Sequence, residues 1–406
     1  MMEDKKSFQA PADLARWQTL ALGIGGVLTV VIAIFFFIGA PAQKEQILRS
    51  WLLGFIFWGG IGVGCLGVLL LQYLISGAWG IVVRRVLEAG SRTIFPFLFI
   101  LFLPIMIGVT QMYEWTHLPA NDPTNLQRGI YQTPLWWTIR TVLYFLLWGV
   151  MAFMLNRWGQ RQDEATNYTD AAKQSGDASK FSGPTMVFFV LVVTFSVVDW
   201  VMSLDPHWFS TMWGLLFVAG WGLSCFSFVV VILAALADKA PMNRVLGKRH
   251  FHDLGKLMLA LVMVWAYFNF SQYLIIWSGN IPEETEWYIT RTTGGWGWIG
   301  LIIIFFHFAF PFLVLLSRDI KRNSKWLALL AIFILVLRLV DMFYLIAPNP
   351  RIYPLEGFHV SIWDIIAPVA IGGLWLWRFF GELQKRPLVP VNDPFLENAI
   401  EHGKGH

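Results

Sequence analysis

Residues 17–39 read WQTLALGIGGVLTVVIAIFFFIG, a run without a single charged side chain. Crossing the hydrocarbon core takes roughly 20 apolar residues as a helix, and only about half as many as a strand. Comparable runs follow near 50–77, 93–113, 135–156, 185–203, 212–237, 256–278, 296–317, 326–347 and 361–380. All exceed strand length, so the pattern excludes a barrel and predicts an all-α integral membrane protein with ten transmembrane helices. Composition agrees: of 406 residues 56% are hydrophobic and 14% charged, with 22 Trp and 34 Phe, more apolar surface than a soluble core needs. The first run resembles the core of a signal peptide, and Ala40-Pro41-Ala42 has the form of a cleavage site. It is too long for that role, and its leader Met1-Met2-Glu3-Asp4-Lys5-Lys6 mixes both signs, so a retained helix is expected.

Basic residues set the expected orientation. With the N-terminus inside, 23 of the 30 Lys and Arg fall in inner segments and 5 in outer ones, and the other two, Arg140 and Arg338, lie within helices. That bias over short loops predicts that both termini are cytoplasmic. It also accounts for the net charge of +4 without any nucleic-acid partner. The longest inner loop, Arg157 to Pro184, is polar with Gly and Ser, and is expected to be mobile or held by a partner.

Redox metals find few ligands. Cys65 and Cys225 both fall in predicted helices, and there is no C-x-x-C-H for a c-type haem. Two thiolates cannot hold an iron–sulfur cluster. Of the eight histidines only His307 lies deep in a span, where a membrane b-type haem takes a facing pair. The expectation is a chain without a metal redox centre or a covalently bound cofactor.

The second to fifth predicted helices are echoed by the sixth to ninth. At an offset of 160, Gly60-Ile61-Gly62-Val63-Gly64-Cys65 falls on Gly220-Trp221-Gly222-Leu223-Ser224-Cys225, and Arg84 on Arg244. Val197-Val198-Asp199 with Pro206 matches Leu339-Val340-Asp341 with Pro348, each Asp preceding its Pro by the same interval. An even number of helices separates the copies, which predicts two four-helix bundles in a parallel repeat plus two flanking helices. The segments are 1–49 (tail and first helix), 50–205 and 206–348 (the bundles) and 349–406 (tenth helix and tail).

An ionisable group at membrane depth costs at least ~2.5–3.5 kcal/mol, so each needs a reason. Asp199 and Asp341 are expected at matched depth, with Arg140 level with them and Arg338 one turn deeper than Asp341 on the same face. Gln111, Glu114, Asn269 and Gln272 belong to the same outer layer, and His307 lies near the midplane before a kink at Pro311. The inner half is drier, with Gln72 its clearest polar member. The layer reads either as ion pairs, Arg140–Asp199 and Arg338–Asp341, that bind helices together, or as the lining of a proton path or quinol pocket opening outward.

Three stretches carry a family likeness: residues 196–211 (SVVDWVMSLDPHWFST), 271–285 (SQYLIIWSGNIPEET), and 72–80 (QYLISGAWG) running into Arg84-Arg85 and Glu88-Ala89. They resemble the NrfD/polysulfide-reductase-type membrane subunits of alternative complex III, a bacterial quinol:cytochrome c (or other acceptor) oxidoreductase, and most nearly the smaller of its two such subunits. The resemblance covers about residues 50–380. It implies a paralogous membrane subunit, an iron–sulfur subunit and c-type haem subunits as partners, with haem and clusters on those partners only. It also implies menaquinol or a related quinol as reductant, in a respiratory or photosynthetic chain, and Asp199, Asp341, Arg338, Arg140 and His307 as proton-handling residues. Outer segments 282–288 and 113–117, rich in Trp and acid, are expected to dock the extramembrane subunits or to mark the aromatic belt. The alternatives are an independent secondary transporter and a purely structural anchor.

Overall fold

A computed structural model of the chain describes residues 8–119, 121–353 and 357–404; the leader at 1–6 lies outside them. Among the described residues all regular structure is helical. Nine helices of the described residues are long and apolar enough to cross a membrane, and a pair bent by 42° makes a tenth if it is one span. The chain is an all-α, multi-pass integral membrane protein.

The first half holds α1 (Asp13–Ile38), α2 (Pro41–Ile75), α3 (Ala78–Ser91), α4 (Phe99–Ile107), α5 (Val109–Met112), α6 (Pro123–Arg128), α7 (Pro134–Glu164) and α8 (Tyr168–Trp200). The second holds α9 (Trp213–Leu236), α10 (Met242–Val245), α11 (Lys248–Gly279), α12 (Pro282–Thr292), α13 (Trp296–Ile302), α14 (Phe310–Leu316), α15 (Arg318–Arg322) and α16 (Ser324–Ile346), followed by α17 (Trp363–Leu383) and α18 (Leu396–Lys404).

Several expected boundaries move. Helix α2 starts at Pro41, whose missing N–H costs nothing in a first turn, so the division at 49/50 falls inside a helix. The expected loop at 78–92 is helix α3, and the bent pair breaks where Phe95, just before Pro96, is extended. The expected 157–184 loop shrinks to residues 165–167, because the polar extensions of α7 and α8 find partners in each other and in the tail: Gln162 donates to the Ser175 hydroxyl at 2.8 Å and to Asp393 at 2.9 Å. The Asn167 side chain caps α8, accepting from the Asp170 N–H at 2.8 Å. Near the predicted kink at Pro311, residues Ile303–Ala309 form a π turn that carries His307.

Helices α2 and α9 pack together at the centre, and the sulfurs of Cys65 and Cys225, residues at the 160 offset, lie 3.6 Å apart. Equivalent positions touch only near an axis relating two halves. The contacts are exchanged accordingly: α2 touches both α8 and α16, and so does α9. Close approach requires glycine here, since a Cβ on Gly64 would fall 2.6 Å from the Trp221 carbonyl oxygen. Outside this core α1 packs on α17, where a Cβ on Gly25 would lie 2.5 Å from the Leu374 nitrogen. Leu388 N–H donates to the Phe8 carbonyl and Lys239 pairs with Asp13, so both described chain ends meet at one end of the bundle, hereafter the basic end.

Candidate functional site

Asp199 ends α8 at the end opposite the basic one and is 2% exposed. Arg140, on α7, grips it with two donors, Nε to Oδ2 at 2.7 Å and Nη2 to Oδ1 at 2.9 Å. The Tyr144 hydroxyl, one turn along α7, donates to Oδ2 at 2.7 Å. The third Arg140 donor, Nη1, reaches the Tyr131 carbonyl at 2.7 Å, and the guanidinium lies 3.7 Å from the Tyr131 ring centroid. Burial beside this carboxylate pushes the Tyr131 hydroxyl up to about 12. A cleft of about 200 Å³ opens over the pair, walled by Tyr131, Trp137, Met202, Trp208 and Phe209. Its floor is held by α8's last carbonyls: Trp137 Nε1 donates to that of Asp199, and the Tyr113 hydroxyl to that of Trp200. Beneath lies an aromatic plug of Phe55, Phe102, Phe145, Trp148 and Trp200.

The matched Asp341 on α16 is equally buried, but its partner is Arg338 on the same helix. Arg338 lies across Gly220 of α9, where a Cβ would come within 2.2 Å of Nη2. His307 faces the Trp265 ring at a centroid separation of 4.1 Å, and both its ring nitrogens lack a hydrogen-bond partner among the described residues. The π turn that carries it packs on α16. Thus both ion pairs read from the sequence form, one lining a cleft and the other buried in the helix core.

The remaining expected residues do not join them. Asn269 donates to the Trp265 carbonyl of its own helix. Gln272 links the Ser210 hydroxyl at 2.9 Å to the Tyr288 hydroxyl at 3.2 Å. Glu114 sits in a short 3₁₀ turn near His207 and Asp205, where burial raises its carboxyl above the usual range. Gln111 is exposed.

Sequence reading missed two larger polar networks. Arg49 and Arg291, counted as outer-loop charges, are buried around the end of α16: Arg291 donates to the Leu345 carbonyl and Asn349, and Arg49 to the Asn349 carbonyl and Glu45. Helix C-terminal carbonyls favour cations, which explains arginines there. At the basic end Arg84 pairs with Asp393 at 2.7 Å, and Glu88 collects Arg85, Arg92 and Arg386. The i,i+3 and i,i+4 spacings of Arg85, Glu88 and Arg92 were a visible signal; the tail partners Arg386 and Asp393 had none.

No protein-family model matches the chain, and no curated protein matches it either.

Proposed function

We propose that the chain is the smaller, ActF-type membrane subunit of a quinol:cytochrome c (or other acceptor) oxidoreductase, with its basic end in the bacterial cytoplasm. The observation that carries the reading is a charged pair, Arg140–Asp199 with Tyr144, at the base of an aromatic cleft on the opposite end. Such a cleft suits the ring of a quinol; at about 200 Å³ it is smaller than drug-sized pockets, so an isoprenoid tail lies outside. Quinol oxidation releases two protons and two electrons. On this reading the electrons go to haem or iron–sulfur centres on partner subunits, and Asp199 takes a hydroxyl proton as Arg140 swings aside. The family resemblance of residues 196–211 and 271–285 supports the same reading.

A static pair is the second reading, favoured because both Asp199 oxygens already accept hydrogen bonds. The two part experimentally. Purified in mild detergent, the protein should co-migrate with haem absorbance; a chain that runs alone and haem-free sinks the redox-subunit reading. In the intact complex Asp199→Asn should lower quinol:acceptor turnover by at least about 100-fold, the low side of general-base effects. Unchanged turnover leaves the static pair.

A further inference from the structure

A second concavity lies at the end of the molecule opposite Asp199. At the basic end a groove of about 570 Å³ runs between the inner half of α7, the elbow joining α3 to α4, and the end of α17. Its upper wall is apolar and open to the membrane: Phe153 is 61% exposed and Phe95 44%, with Gly149 beside the Phe95 ring. Its lower wall carries Arg92, Arg157, Arg161, Arg378 and Arg386 against two carboxylates, Glu164 and Glu382. Glu382 is already shared by Arg92, Arg378 and Lys385, and Arg386 is bound to Glu88. Arg157 and Arg161, one turn apart on α7, have no hydrogen-bond or ion-pair partner among the described residues.

We propose that this groove binds an anionic phospholipid, its phosphate held by Arg157, Arg161 and Arg378 and an acyl chain lying along Phe95, Gly149 and Phe153. Like charges at i,i+4 repel, and a shared anion removes that repulsion. The positive-inside rule accounts for arginines at this end, but not for a concave site of ligand size that joins lipid-facing aromatics to unpaired guanidinium groups. Basic pockets between helices at this level are where headgroups dock. The inference does not depend on the redox reading.

Native mass spectrometry of the detergent-purified protein, titrated with phosphatidylglycerol or phosphatidylcholine, tests it. Each arginine near a headgroup is worth about fivefold, so Arg157→Gln with Arg161→Gln should weaken phosphatidylglycerol binding about 25-fold. Both side chains are exposed and make no hydrogen bond or ion pair among the described residues, so the fold should survive. Arg318→Gln with Lys325→Gln, on the other bundle, should change little. Glycerol phosphate should compete only weakly, because it lacks the chain that the aromatic wall holds. Equal binding of both lipids, equal binding by the double variant, full competition by glycerol phosphate, or an acidic polypeptide filling the groove would each overturn the proposal.

Discussion

Two aspartates at matched positions are held in different ways, and the difference is measurable. Asp341→Asn strips the counter-charge from Arg338, which is 1% exposed; breaking such a buried pair costs about 3–5 kcal/mol. Asp199→Asn leaves Arg140 the Tyr131 carbonyl and ring and a 17% exposed side chain, so about 1–3 kcal/mol is expected. Thermal unfolding in detergent should therefore rank Asp341→Asn as the worse variant, and the opposite ranking refutes the burial argument. Turnover should rank them in reverse once stability is matched, because Asp199 lines a cleft and Asp341 is buried in the helix core. Gly220→Ala pushes on the same guanidinium, so its cost and that of Asp341→Asn should fall well short of adding. Glu114 supplies a pH dependence. Burial raises its folded-state pKa above 4.5, so its charged form opposes folding as pH rises through that value. Glu114→Gln should raise Tm at pH 7, and the gain should vanish below pH 4.5.

At the scale of elements, small residues decide which helices touch. Gly23 on α1 has nothing near its Cβ position, whereas Gly64 meets the α9 backbone. Gly23→Leu should leave Tm unchanged and Gly64→Leu should cost at least about 1–3 kcal/mol, as overpacking does. Equal tolerance of both would mean that α2 and α9 are not in contact. The sequence repeat had aligned Cys65 with Cys225, but that their helices meet is seen only in the structure. Apolar length also revealed the spans, because hydropathy reports the solvent that a helix meets. It failed where polar helices find protein instead of water. Helix α3 buries Arg84, Arg85 and Glu88 against the chain's tail, and α7 and α8 run on past the membrane. The partners of Arg84, which are Gln162 and Asp393, lie more than 70 residues away along the chain, beyond any local pattern. Of the candidate site, the two ion pairs were legible from charge at depth; Tyr144, Tyr131 and the cleft walls were not, since aromatic residues are common throughout.

For the whole molecule, everything functional turns on which end faces which compartment. The described chain ends and the lipid groove share one end; the cleft over Asp199 lies at the other. Only a cleft facing outward lets released protons add to the membrane gradient directly, since an aromatic plug of Phe145, Trp148 and Trp200 packs beneath it. Orientation is therefore the premise of the redox reading, and it can be measured without any partner. Native Cys65 and Cys225 are fully buried, so single exposed cysteines report cleanly. With a membrane-impermeant maleimide on intact spheroplasts, Gln127→Cys in α6, exposed and outside both expected docking segments, should label at once. Lys173→Cys in α8 should label only after the membrane is opened. The inverse pattern would put the cleft in the cytoplasm, where a carboxylate releasing quinol protons would dissipate no charge outward, and would remove the proposed function along with the orientation.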